Sequence, residues 1–342
     1  VGIFNRMRVI DYSSEEKESG EREAESGKQG AGNREYGADR PFTDSCRNPT
    51  KNLRQIRVKR KNINDRNMKF IKKTLEYLFV LEKGRRFLLL FVLSTPIGAA
   101  AAFLTPTRYY TEWILNFTVG DANFWHVFTF GRGGVAFPVT LAIFLAAAVI
   151  FVSAQATIVA RSMRVGVFKA GKLFGELNES FYPSFFAVLI YTAAFIVFKT
   201  VSTLLLVLWQ YLDYQAVAAV LSLLSLIIVY LSTVVFVSIA SLVLPIMGIT
   251  GLRPGPALES SVRKCSRHLK ALALGIGLPI VVLTTAGALV GLTGNVLLSE
   301  LADTFLYSFM FSYLTVLAYV AYHEIEEIKR EDYPREYFYK GK

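Results

Sequence analysis

Apolar residues along this chain fall in six long runs, at about 87–104, 134–160, 184–209, 215–245, 269–292 and 302–322, with polar stretches between them. A helix crosses the hydrocarbon core of a bilayer with roughly 20 mostly apolar residues. The runs lack the polar stripe that recurs every few residues in a soluble amphipathic helix. The pattern predicts an all-α membrane protein with six transmembrane helices.

The loops between the runs alternate in charge. Lys69, Lys72, Lys73, Lys83, Arg85 and Arg86 precede the first run, and Arg161, Arg164, Lys169 and Lys172 follow the second. Arg253, Arg263, Lys264, Arg267 and Lys270 follow the fourth, and Lys329, Arg330, Arg335, Lys340 and Lys342 follow the sixth. The other loops are poor in Lys and Arg, with Arg108 and Arg132 spread over a long 105–132 loop. Cytoplasmic loops are the basic ones. The runs therefore pair into three hairpins entered from the cytoplasm, with both termini inside. A second reading stays open at the start. Arg85-Arg86, an apolar stretch and Ala99 to Ala102 have the order of a cleaved signal sequence, which would leave five spans.

A basic segment precedes each hairpin and is expected to lie on the inner membrane face as an amphipathic helix. Before the fifth run, Leu258, Val262, Cys265 and Leu269 recur at helical spacing, with Arg263, Lys264, Arg267 and Lys270 mostly elsewhere around the helix. These four cations are the candidate contacts to anionic lipid headgroups of the inner leaflet. Phe70, Ile71, Leu75 and Leu78 make a similar pattern before the first run. The segment 164–177 is weaker, interrupted by Gly166, Gly171 and Gly175.

Three parts follow from this patterning. Residues 1–67 are polar, lack apolar clusters and are expected to be disordered. The first residue is Val, and Met68 opens a stretch resembling the natural start of a bacterial membrane protein, so 1–67 is read as a segment outside the native product. Residues 68–322 form the membrane domain. Residues 323–342 form a charged cytoplasmic tail, in which the sixth helix is expected to continue, solvated, to Pro334. The 105–132 loop carries Tyr109, Tyr110, Trp113, Phe117, Phe124, Trp125, Phe128 and Phe130. Aromatics concentrate at the headgroup level, so this loop reads as a short interfacial helix, or as a lid or docking surface.

Composition changes the picture little. The 342-residue chain is 53% apolar with a net charge of +11. In a membrane protein the position of that charge says more than its sum, and nothing calls for nucleic acid. Cys46 and Cys265 have no CxxC spacing, so neither a disulfide framework nor a zinc site is indicated. His323-Glu324-Ile325-Glu326-Glu327 is not the His-Glu-x-x-His of a zinc protease. Gly131-Arg132-Gly133-Gly134 lacks the Lys-Ser/Thr ending of a phosphate loop. No cofactor is implied.

Lys199 is the one charge inside the third run, about 15 Å inward from Trp209 at ~1.5 Å per residue. A charge at such depth costs roughly 2.5–3.5 kcal/mol on the insertion scale. Lys199 therefore either pairs structurally or snorkels, or it marks a substrate or ion site. Glu300, Asp303 and Asp213 are its candidate partners by depth. The fifth run carries Gly275, Gly277, Pro279, Gly287 and Gly291, which read as close helix packing or as a kinked helix beside a binding site. The serines of the fourth run and Gln155 read as packing.

The stretch Ala257-Leu258-Glu259-Ser260-Ser261-Val262-Arg263-Lys264 resembles a broad group of uncharacterised bacterial six-helix membrane proteins. They are related to the membrane domain attached to some glycerophosphodiester phosphodiesterases. That group often carries Ala-Leu-x-x-Ser with basic residues before its fifth span, and the likeness extends over 68–322 in layout. It implies a six-helix fold in a bacterial plasma membrane. It carries over no hydrolase activity.

Three functions are compatible with the sequence. The first is a non-enzymatic scaffold or assembly factor that uses the basic inner face and a membrane protein partner. The second is a transporter or permease subunit with a site at Lys199. The third is a lipid-handling enzyme, for which no catalytic cluster appears. A cavity reaching into the bundle separates the second from the first.

Overall fold

The computed structural model describes residues 68–108, 124–129, 136–166, 173–211 and 215–332. The readings for 1–67, for 333–342, for Cys46 and Asp213, and for Tyr109, Tyr110, Trp113, Phe117 and Phe130 lie outside the described residues. Among the described residues every regular element is helical. Six segments are long and apolar enough to cross a membrane: Arg85–Leu104, Ala136–Val165, Leu177–Trp209, Ala216–Thr250, Pro254–Gly291 and Val296–Ile325.

A short helix α1 (Lys69–Leu75) is followed by a wide turn, Glu76–Val80, and a tight one, Leu81–Gly84. Gly84 takes φ +78° and lets the chain enter the first span, α2 (Arg85–Leu104). A five-residue helix α3 (Phe124–Phe128) and the second span α4 (Ala136–Val165) come next. The third span belongs to α5 (Leu173–Gln210). The fourth is two helices, α6 (Gln215–Ser241) and α7 (Val243–Thr250). Pro245 lacks an amide hydrogen, and its ring crowds the carbonyl four residues back, at Ser241, where the helix breaks. Gly251, at φ +69°, ends α7 in the left-handed conformation common at helix C-termini. The last two spans are α8 (Pro254–Gly291) and α9 (Val296–Ile325). Asn295 caps α9 by accepting from the Leu298 amide at 3.1 Å.

Two helices run well past the apolar runs. At ~1.5 Å per residue the 38 residues of α8 reach roughly 57 Å, nearly twice the ~30 Å hydrocarbon thickness. The basic segment before the fifth run is therefore the first part of α8 itself. Its inward face is Ala257, Ser261 and Cys265, one turn apart, whereas Leu258 and Val262 are exposed. The packed face is the one with small side chains, which let α8 approach α6. Ser261 donates its hydroxyl to the Ile239 carbonyl there.

Neighbouring spans pack on one another, and α9 closes the series by packing on α2, the most extensive pairing in the bundle. The two run antiparallel. Ser94 meets Ser312 at 2.6 Å, and further along Thr107 meets Asp303. Between them Gly98 lies against α9 so closely that a Cβ would fall 2.8 Å from both the Ser308 amide nitrogen and the Thr304 carbonyl. Gln155 of α4 completes a buried polar seam, donating to Ser94 and to the Leu90 carbonyl and accepting from Thr315.

Pro279, inside α8, cannot donate to the Gly275 carbonyl one turn back. Tyr313 of α9 supplies the missing donor at 2.9 Å, and Tyr230 of α6 donates to the Gly277 carbonyl at 2.7 Å. The Gly/Pro content of this span thus serves helix contacts that expose backbone carbonyls to tyrosines.

The main core lies toward the end of the bundle that carries α1 and residues 328–332, hereafter the tail end. Phe70, Leu78, Met163, Ile246, Leu272 and Leu317 are all buried there. Smaller clusters lie at mid-span, around Ile97, Ala148, Val149 and Val188, and at the opposite, loop end, where Val127 meets Leu206.

The sixth helix does not continue as a solvated helix to Pro334. It stops at Ile325, and Glu327 turns the chain back at φ +53°. The following residues pack on α4, where the Glu331 amide donates to the Met163 carbonyl at 2.9 Å. The physical reason is Asp332. Its buried carboxylate accepts from Arg330 at 2.9 and 3.1 Å and from Arg86 at 3.1 Å. A carboxylate shared by two guanidinium groups holds the turn better than solvent would.

Candidate functional site at the loop end

Lys199 is 7% exposed, on the face of α5 that also carries Phe195 one turn earlier. Its Nζ donates to the Leu104 carbonyl at 3.2 Å, the last residue of α2. That helix terminus bears the partial negative charge of carbonyls without helical donors. Three phenyl rings face the same nitrogen, those of Phe137 at 4.8 Å, Phe128 at 5.3 Å and Phe195 at 5.6 Å. Each presents its electron-rich face to the amine. Phe128 comes from α3, whose Val127 packs on Leu206 of α5. This part of the aromatic loop thus sits over Lys199, with Trp125 turned outward.

Asp303 is also buried, but both its oxygens go to Thr107. The Thr107 amide donates at 2.9 Å and its hydroxyl at 2.6 Å. Gly287 of α8 leaves room for that pair, since a Cβ would stand 3.0 Å from the Thr107 hydroxyl and 3.1 Å from Asp303. Tyr307, one turn along α9, donates to the Thr105 carbonyl at 2.8 Å. Lys199 and Asp303 are therefore held by one short stretch, residues 104–107, at different points. Glu300 is exposed near the start of α9.

A cavity of about 270 Å³ lies beside this cluster. Its walls are mainly apolar, with Phe144 and Ala148 from α4, Val188 from α5, and Phe311 and Leu314 from α9. Thr105, Tyr307, Tyr191 and Thr192 give it polar points. Leu104 and Phe195 border it and also touch Lys199, so the amine stands just behind one wall.

The four candidate headgroup contacts separate into two kinds. Lys264 is engaged within the protein, 2.8 Å from Glu326 and over the Tyr322 ring. Arg267 and Lys270 are exposed, and Arg263 is an exposed partner of Glu259. Glu324 joins Lys69 and Lys73, tying α1 to α9.

The sequence pointed to Lys199 and Asp303 but not to what holds them. Phe195 at four residues' separation was legible as a same-face neighbour. Thr105 and Thr107, just past the end of α2, Tyr307 of α9 and Phe137 of α4 come from elsewhere in the chain and carry no linear signal.

Among the described residues the architecture is an all-helical bundle with six membrane-capable helices. Compared with protein-family models, with curated proteins and with solved structures, the chain matches none.

Proposed function

We propose that this is a multi-pass integral membrane protein that binds a membrane-soluble ligand inside its bundle, in the manner of a transporter or permease subunit. The observation that carries the reading is the cavity whose border residues Leu104 and Phe195 also hold Lys199. Buried ionisable residues within membranes are costly and usually serve a site. A cavity lined mostly by apolar side chains with a few polar points is the usual form of a small-molecule site.

The rest of the reading follows from charge. The basic tail end faces the cytoplasm, both termini are inside, and the six spans form three hairpins in a bacterial plasma membrane. The likeness to the membrane domain attached to some glycerophosphodiester phosphodiesterases agrees with this layout, and no residue role is taken from it. Exposed Arg263, Arg267 and Lys270 support contact with anionic inner-leaflet lipids. The same exposed face favours a second reading, a scaffold or assembly factor that recruits a protein partner.

Extraction in native lipid discs followed by mass spectrometry tests both. The first reading expects a small molecule or lipid enriched over bulk membrane, and its loss from Ala148→Leu, which narrows the cavity. A stoichiometric protein partner with no enriched small molecule would overturn it in favour of the scaffold.

A further inference from the structure

We propose that Asp303 is a proton-binding site, a neutral carboxylic acid in this structure that donates to Thr107 and releases its proton toward the loop end. The site stands whether or not the adjoining cavity takes a ligand.

Asp303 is 1% exposed on a membrane-capable helix. A charge in such a place is costly unless a cation or a full set of donors meets it. Asp332, at the tail end, has two guanidinium groups. Asp303 has Thr107, through an amide and a hydroxyl. Of the charged and titratable groups around it, Glu300 and Tyr307 lie on α9, Arg108 follows Thr107, and α8 presents Gly287. Among the described residues no Lys or Arg bonds its carboxyl group. Lys199 meets the Leu104 carbonyl instead. Glu300, three residues earlier, is a like charge that disfavours a second one.

A neutral carboxyl group fits these contacts. Its carbonyl oxygen accepts from the Thr107 amide at 2.9 Å, and its own hydroxyl meets the Thr107 hydroxyl at 2.6 Å. The threonine hydroxyl serves as donor or acceptor, so the same contact suits an acid that keeps its proton.

A way out lies one turn nearer the start of α9. Ser299 is 2% exposed, shares a helix face with Asp303, and its hydroxyl has no hydrogen-bond partner in the protein. Side chains one turn apart stand about 5–6 Å from each other, which a water spans with two hydrogen bonds of about 2.8 Å. Such a water satisfies Ser299 and accepts the proton. The carboxyl O–H bond breaks with its electron pair left on oxygen, and the proton passes through the water to exposed Glu300 or to solvent. The Thr107 hydroxyl then donates to the carboxylate. Thr105 and Tyr307 border the cavity, so the departure of the proton changes the field there.

Infrared difference spectra of the full chain in lipid discs test this, with Asp303→Asn as the reference. At about pH 7, where an exposed aspartate is ionised, the wild type should show a protonated-carboxyl stretch that the variant lacks. The band should shift in heavy water and give way to carboxylate bands as pH rises. Thr107→Val removes the hydroxyl partner and should move the same band to higher frequency, which keeps the test decisive where Asp303→Asn does not fold. Carboxylate bands in place of the carboxyl band at about pH 7 overturn the inference, and so does a Thr107→Val spectrum in which no carboxyl band moves. A wild-type Tm raised by sodium chloride over choline chloride, with no such rise in Asp303→Asn, would assign the site to a metal cation and overturn it too.

Discussion

The two ends of the bundle each bury cations, and they treat them differently. At the tail end Arg86 and Arg330 share Asp332, and Tyr77 lies under both guanidinium groups at 5.0 and 5.7 Å. Full opposite charges meet there within a closed core. At the loop end Lys199 rests on a carbonyl and three phenyl faces beside a cavity. The first arrangement fixes one conformation. The second keeps a cation in an apolar setting with space next to it. Burial of a charge therefore occurs in two settings in one molecule, and the neighbouring volume distinguishes them.

The largest effect should come from the tail end. Asp332→Ala takes the shared carboxylate from buried Arg330 and leaves Arg86 with Glu82 alone, at 2.7 Å, and breaking such a group costs about 3–5 kcal/mol. Thermal unfolding of the purified protein would record it as a clear drop in Tm. A small change there would mean that water reaches the clasp and that the ends do not differ as described.

Gly98→Ala probes the seam between the ends. Its Cβ meets the backbone of α9, so α2 and α9 must part, at about 1–3 kcal/mol. If Tm is unchanged, the close helix approach is not needed for stability. Tyr313→Phe should cost less, about 0.6–1.7 kcal/mol, because it removes one interhelical hydrogen bond to the Gly275 carbonyl. Combining Tyr313→Phe with Pro279→Ala should recover part of that loss, since residue 279 can then donate to Gly275 itself.

Tyr77 gives a narrower test. Burial is the main influence on its hydroxyl and pushes its pKa up from 10.0 to about 12. The proton is held more tightly in the folded state, so this contribution is complete below about pH 10 and is lost as pH rises through about 12. Tyr77→Phe should therefore flatten part of the alkaline fall in stability. An identical alkaline profile in Tyr77→Phe would place the loss at other tyrosines.

The six spans were legible in the sequence because hydrocarbon thickness acts on every residue of a run, and the ends of α2 and α6 fall within a few residues of the runs. The long reach of α8 was not, because its basic first turns pattern like a separate surface helix, and its packed face uses Ala257 and Ser261. The tail reading failed at Arg330 and Asp332. Their residue types mark a solvated surface unless a partner such as Arg86, far away in sequence, takes them inside. At the site, Lys199 stood out because a single charge in an apolar run is costly. Its surroundings did not, because a carbonyl has no sequence identity and the rings arrive from α3, α4 and α5.

The most direct test of the contrast between the ends is the melting temperature of Lys199→Met beside that of the wild type, in lipid discs without added ligand. A buried cation that serves a ligand can give way to an apolar side chain of similar length at little cost, or at a gain. We predict a Tm at or above that of the wild type. A fall as deep as that of Asp332→Ala would contradict the account and make Lys199 a structural charge like those of the tail end.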